Sequence, residues 1–240
     1  MKITGYELFF VAPRWLFLKI ETDEGITGWG EPVLEAKALT VAACVDEMMD
    51  HIMGRDPMQI ERHWQRMMKG GFYRGGSILN SAVAGIDQAL WDISAKDLNV
   101  PLWRLLGGLA RDRIRMYDHL GGGSSDAVYN SDTVSSFSDK MKQSVKDGFT
   151  AVKILAVPQS APLGEEEKLK HAHDLMESAR KAAGPDIDIM IDFHGRTSAA
   201  MAIKYAKVLE PFKPLFLEEV VPPDQIESLK VARAGINLPI

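Results

Sequence analysis

The chain has 240 residues, a formal net charge of −5, 46% hydrophobic and 25% charged residues, and one cysteine. Those values describe a globular protein of one or two domains and exclude general disorder. They also exclude a basic nucleic-acid surface, an internal disulfide framework and a cysteine-rich zinc site. The first residues, MKITGYELFF, lack the pattern of a secretory signal, and no apolar run approaches the ~20 residues of a membrane span. A cytoplasmic protein without nucleic-acid or membrane partners is expected.

Residues Lys2–Val11, Trp15–Thr22 and Thr27–Glu31 read as strands, with Asp23-Glu24-Gly25 as the hairpin turn between the last two. The first connection carries Pro13, Arg14 and Trp15. From Glu35 to Met53 apolar residues recur at helical spacing, and Gly54 sits where a C-terminal cap belongs. Asp56-Pro57 is expected to open a second helix running to Lys69. Gly70–Gly76 forms a loop with Phe72, Tyr73 and Arg74 between glycine pairs, suited to a hinged lid or to simple turns. Ser77–Asn99 is a third helix whose buried stripe is Ala82, Ile86, Ala89, Leu90 and Ile93. A short helix ends at Gly107-Gly108. Strands followed by helices give residues 1–112 the segregated order of an α+β domain.

The pattern changes over residues 113–240. Strands are expected at Ile114–Tyr117, Phe149–Leu155, Ile187–Asp192 and Leu215–Glu218, with another beginning in Gly235–Ile240. Helices are expected at Ser135–Asp147, Glu165–Ala183, Ser198–Leu209 and Gln225–Ala234, and a polar loop at Gly121–Ser125. Alternating strand and helix implies a parallel sheet or an α/β barrel.

In such a barrel the C-terminal strand ends share one side. Lys153, Asp192 and Glu218-Glu219 end successive strands. Because side chains alternate along a strand, only one of the two glutamates is expected beside Asp192. Two carboxylates without cysteine favour a hard, oxygen-binding cation such as Mg²⁺ over Zn²⁺. A salt bridge between Lys153 and Asp192 is the bland alternative.

Several stretches resemble the enolase superfamily, of the mandelate racemase/muconate lactonizing enzyme type. These are WLFLKIETDEGITGWGEP (Trp15–Pro32), GFYRGG (Gly71–Gly76), AVAGIDQALWD (Ala82–Asp92), DFHGR (Asp192–Arg196) and LEPFKPLFLEE (Leu209–Glu219). DFHGR followed by EE is similar to the sugar-acid dehydratases of the galactonate dehydratase branch. The resemblance implies an α+β capping domain over a modified α/β TIM-type barrel. It implies Mg²⁺ held by Asp192, Glu218 and a third carboxylate, and an ene-diolate formed by removing the proton next to the substrate carboxylate. A Lys or His base with Mg²⁺ is this superfamily's general mechanism. By the same resemblance His194 protonates the departing 3-hydroxyl, yielding a 2-keto-3-deoxy sugar acid. Lys153 is a second catalytic candidate, Arg14, Arg74 and Arg196 are candidate substrate contacts, and a homo-oligomer is expected.

Two departures bear on those expectations. Racemases of this superfamily carry Lys-x-Lys on the second barrel strand and galactonate dehydratases Lys-x-Asn, whereas this chain has Lys153-Ile154-Leu155. Leucine neither takes a proton nor binds a hydroxyl, which argues against a two-base racemase and against strict galactonate specificity. Residues 113–240 also make only half of a ~250-residue barrel. The chain therefore reads as a truncated copy ending before the third metal carboxylate and the His–Asp dyad. Two other readings compete with a dehydratase. One is an aldolase-like barrel using Lys153 as a Schiff-base lysine. The other is an inactive fragment binding carbohydrate acids or a partner.

Overall fold

A computed structural model describes residues 1–120 and 134–240. The chain forms two compact units, Met1–Asp112 and Arg113–Ile240. The expected Gly121–Ser125 loop lies outside the described residues.

The first unit opens with an antiparallel sheet of β1 (Ile3–Val11), β2 (Trp15–Thr22) and β3 (Thr27–Gly30), in that order. Alternation along β2 buries Leu16, Leu18 and Ile20 against α1 (Ala38–Met49), α2 (Ile60–Lys69) and α3 (Ser77–Asp97). The expected stripe on α3 is fully buried. The short α4 (Leu102–Leu105) follows.

The motifs TGWGEP and AGIDQALWD turn out to be one packing device. A Cβ on Gly30 would lie 1.9 Å from the Gly85 carbonyl oxygen, so β3 touches the α3 backbone directly. On α3, Gln88, Asp92 and Lys96 stand one turn apart along one face. Their side chains bond the Glu31 amide, the Trp29 amide and the Thr27 carbonyl at 2.8, 2.9 and 2.7 Å. The open edge of the sheet is thereby covered by helix side chains.

Two helix starts differ from expectation. Ala36 has φ +57°, which breaks the helical path, so α1 begins at Ala38 rather than Glu35. It also ends early, at Met49, because the following segment returns to the sheet and the Gly54 amide donates to Ile3 O at 2.9 Å. Asp56 does not cap α2. Its carboxylate accepts from the Met58 amide at 2.9 Å in a local turn, and the helix starts at Ile60.

His63 on α2 is 2% exposed; its Nε2 donates to Asp56 O at 2.8 Å, and its Nδ1 has no partner among the described residues. Burial, with help from Arg66 and Arg55, pushes its pKa below 6.5. Between the lowered folded value and 6.5 the unfolded chain binds more protons, so His63 costs stability as pH falls through that window. Tm should therefore drop more steeply from pH 7.5 to 5.5 in the native chain than in a His63→Gln variant. Parallel melting curves would dismiss this role.

The second unit is a parallel sheet of β4 (Asp118–His119), β5 (Ala151–Ile154), β6 (Asp188–Asp192) and β7 (Leu217–Glu218), in sequence order. The helices are α5 (Val134–Lys146), α6 (Glu166–Ala183), α7 (Ala199–Leu209) and α8 (Ile226–Gly235). Sequential parallel strands joined by helices are the winding of an α/β barrel, here four strands of one. The strands and helices bury a continuous core including Ile154, Leu175, Ile191, Phe193, Tyr205 and Leu217. Ser198 caps α7 by accepting from the Met201 amide at 3.3 Å.

Two expected strands are not formed. Among the described residues Ile114–Tyr117 has no ladder partner; Arg115 instead binds Asp188, Thr150 Oγ1 and Thr150 O at 2.6, 2.8 and 2.7 Å. The first barrel strand is thus confined to Asp118–His119. Near Ile240 there is a single ladder-like bond, from Leu217 N to Pro239 O at 2.9 Å, and no strand. Among the described residues no helix is long and apolar enough to cross a membrane.

Candidate metal and acid–base site

The register of the parallel sheet builds the site. His119 lies opposite Lys153, and Asp192 opposite Glu218. Adjacent parallel strands in this alignment put the ends of β5, β6 and β7 side by side. The Lys153 ammonium stands between the two carboxylates, 2.8 Å from Asp192 Oδ2 and 2.7 Å from Glu218 Oε2. Lys153 is 9% exposed and Asp192 2%, so these two are largely withdrawn from water, while the Glu218 side chain is half-buried.

Asp192 is saturated with donors. Its Oδ1 accepts from the His194 amide at 2.9 Å, and its Oδ2 also receives His194 Nε2 at 3.1 Å. Burial opposes its ionisation, but the His194 ring, Lys153 and the His194 amide override it and hold the carboxyl at about 2. The Asp192 bond raises the His194 pKa above 6.5 against the opposing effect of burial. For Lys153 burial favours the neutral amine, yet bonds to both carboxylates raise its pKa.

The backbone around these groups is unusual. His194 has φ +50°, Gly195 +60° and Glu219 +49°. Non-glycine residues with positive φ cost energy and cluster at functional sites. Cross-bonds between the two strand ends hold them. Phe193 N donates to Glu218 O at 2.9 Å, Gly195 N to Glu219 O at 2.8 Å, and the buried Thr197 hydroxyl to Val220 O at 2.6 Å.

That backbone corrects one expectation. Strict alternation would send Glu219 away from Asp192. The left-handed turn at Glu219 ends the alternation, and ligand atoms of Asp192, His194 and Glu219 lie within 4.8 Å of one another. Both glutamates therefore approach Asp192, Glu218 through Lys153 and Glu219 directly. The EE pair was visible in the sequence, but nothing in it announced the change of backbone direction. Thr197 carried no signal at all.

Of the candidate arginines, Arg196 belongs to this neighbourhood, its Nη1 donating to Val157 O at 3.4 Å. Arg14 and Arg74 sit in the first unit and are engaged locally, Arg14 with Glu35 and Arg74 Nε with Gly71 O at 3.0 Å.

The donors fit a hard divalent cation. Asp192 and Glu218 already converge on one cationic atom, and Glu219 adds a third carboxylate nearby. An all-oxygen set suits Mg²⁺, whereas the Asp192–His194–Glu219 set includes an imidazole more suited to softer ions.

Residues 11–107 match the family described as mandelate racemase/muconate lactonizing enzyme, N-terminal domain, and residues 136–240 match the enolase C-terminal domain-like family. The chain belongs to the enolase superfamily. Over all 240 residues it is 45% identical to the D-galactonate dehydratase of Cronobacter sakazakii, of which it spans 60%. A member of the enolase superfamily from Salmonella Typhimurium superposes with a TM-score of 0.90 at 31% identity, over 99% of this chain and 66% of that one. An enolase from Agrobacterium radiobacter, bound to Na and L-malate, superposes with a TM-score of 0.83 at 27% identity. That match covers 99% of this chain and 60% of the other. Members of the superfamily bind a divalent metal.

Proposed function

We propose that this chain carries the cation-binding and general-acid residues of a Mg²⁺-dependent acid-sugar dehydratase. The substrate is an aldonate of the galactonate type and the product a 2-keto-3-deoxy sugar acid. One observation carries the reading: Asp192 and Glu218, register partners on β6 and β7, meet on a single cationic atom with the His194 imidazole 3.1 Å from Asp192. The similarity to a D-galactonate dehydratase supports the substrate class. So does the cation and hydroxy-acid pair held by the Agrobacterium enolase.

Asp192 and Glu218 would hold the cation, with Glu219 beside them. Bound there, Mg²⁺ supplies positive charge that acidifies the C–H next to the substrate carboxylate. Asp192, fixed as a carboxylate at any ordinary pH, supplies negative charge without a competing proton. His194, its pKa raised, is the acid. Its Nε2 faces Asp192, so the proton given up is the one on Nδ1. Once a base has taken the C2 proton, the pair left on carbon forms the C2–C3 double bond and expels the 3-hydroxyl, whose oxygen leaves with the C3–O pair and takes the His194 proton, releasing water. The remaining enol becomes the 2-keto acid by taking a proton at C3.

Lys153 does not suit the aldolase-like alternative. A Schiff base needs a free amine, and two carboxylates favour the ammonium here. While both ion pairs stand, the same charge keeps it from acting as a base and gives it an electrostatic role.

The test, on a full-length version with a whole barrel, is product formation from a panel of aldonates with Mg²⁺, read by NMR for 2-keto-3-deoxy acids. Activity should vanish with EDTA and return with Mg²⁺. No product from any aldonate, or turnover indifferent to EDTA, would refute the proposal.

A further inference from the structure

Lys153 stands where a cation bridging Asp192 and Glu218 would stand. Its Nζ is within 2.8 Å of oxygens from two neighbouring strands, and its side chain is 11% exposed. Two carboxylates brought together by strand register repel unless a positive charge lies between them. With the Asp192 side chain 3% exposed and that of Glu218 36%, water screens that repulsion only in part. The ammonium offsets it, and it does so from β5, a third strand tied to β6 by the Lys153–Met190 register. The three strand ends are thereby drawn together without any metal.

From this we infer that Lys153 is a resident counter-cation: it preassembles the carboxylate pair in the metal-free protein and competes with the divalent ion for it. The inference rests on the proposed assignment of Asp192 and Glu218 as cation ligands. Mg²⁺ needs its oxygens at about 2.0–2.1 Å. An ammonium at 2.7–2.8 Å from the same two oxygens occupies the space that ion requires. Cation binding therefore breaks at least one of the two Lys153 ion pairs, and the cost of breaking them appears as weaker cation affinity. In exchange the metal-free site stays closed, because the pair never faces its own repulsion.

The experiment uses the whole chain and Mn²⁺, a paramagnetic stand-in for Mg²⁺ whose free fraction is read by EPR. Lys153→Met keeps the length of the side chain and removes its charge, and Lys153→Arg keeps the charge. The Met variant is expected to bind Mn²⁺ at least ~10-fold more tightly than the native chain. The Arg variant should stay within a few-fold of the native chain. In EDTA the Met variant should melt several degrees lower, by an order of ~2–4 °C for each kcal/mol lost, and saturating Mn²⁺ should restore more of its Tm than it adds to the native chain. Equal or weaker Mn²⁺ binding by the Met variant overturns the inference while leaving the metal site standing. So does an EDTA melting temperature no lower than native. Absence of Mn²⁺ binding in the native chain and in both variants overturns the metal assignment itself, and this inference with it. Asp192→Asn, expected to abolish binding in every background, confirms that the signal comes from this site.

Discussion

Asp192→Asn is expected to lower cation affinity at least ~100-fold and to destabilise the metal-free protein by roughly 2 kcal/mol. The first figure follows because outer-sphere partners of metal ligands are already worth 10–100-fold, and Asp192 is placed as a direct ligand. The second follows from its carboxyl, held at about 2 against an ordinary 3.8 by His194 and Lys153. In a chain of this size that corresponds to about 4–8 °C in Tm. Asparagine matches aspartate in shape, so the core around Ile191 and Phe193 is undisturbed, and only charge and acceptor strength change. The effect has a signed pH dependence. A depressed folded pKa adds stability above 3.8, and that stability is lost as pH falls toward 2. Wild-type and variant melting temperatures should therefore converge in acid and diverge toward neutrality. A gap that stays constant from pH 7 to 3 would show that the destabilisation comes from packing rather than from the charge on Asp192.

The strength of that expectation depends on how the site is built, and only part of the building was legible in the sequence. Strand order, the two-part organisation and the placement of Lys153, Asp192 and Glu218 at neighbouring strand ends follow from periodicity. The pattern is unambiguous there: β5 and β6 are apolar on both faces, and their helices carry clean amphipathic stripes. The limits of β4 were not legible, because Ile114 and Met116 look like strand residues in composition but have no neighbouring ladder to join. Helix starts were misplaced where a local carboxylate–amide bond at Asp56 or a positive φ at Ala36 competed with the helical path. Alternation failed at Glu219 for the same reason. Left-handed residues without glycine leave no compositional trace, since the cross-bonds that hold them come from another strand. The motifs AGIDQALWD and TGWGEP could be recognised as family signatures. Their physical content became visible only when Gln88, Asp92 and Lys96 were seen bonding the edge of β3.

His194→Asn should separate the two halves of the proposed chemistry. Asparagine is among the few residues that accept φ near +50° readily. The strained turn and its bonds from Gly195 to Glu219 should therefore survive, while the titratable ring is lost. In a full-length version with a whole barrel, product formation is expected to fall by ~10²–10⁴, the usual contribution of a positioned general acid. Cation affinity should fall by no more than ~10–100-fold, the usual worth of a hydrogen-bond partner to a ligand, because Asp192 and Glu218 are both retained. Exchange of the substrate's α-hydrogen with D₂O should continue, since that step precedes departure of the hydroxyl and needs no acid from His194. The pH profile gives an independent reading. The Asp192 bond raises the His194 pKa, so the protonated acid persists above pH 6.5 and is lost as pH rises through the raised value. The wild-type rate should decline on that alkaline side, and the variant's residual rate should lack the decline. Parallel loss of exchange and elimination would instead make His194 part of α-proton removal. An unchanged alkaline decline in the variant would assign the titrating acid to another group. Because the same bond that raises His194 also lowers Asp192, the acid and the cation ligand are tuned by one contact, and a substitution at either residue must be read at both.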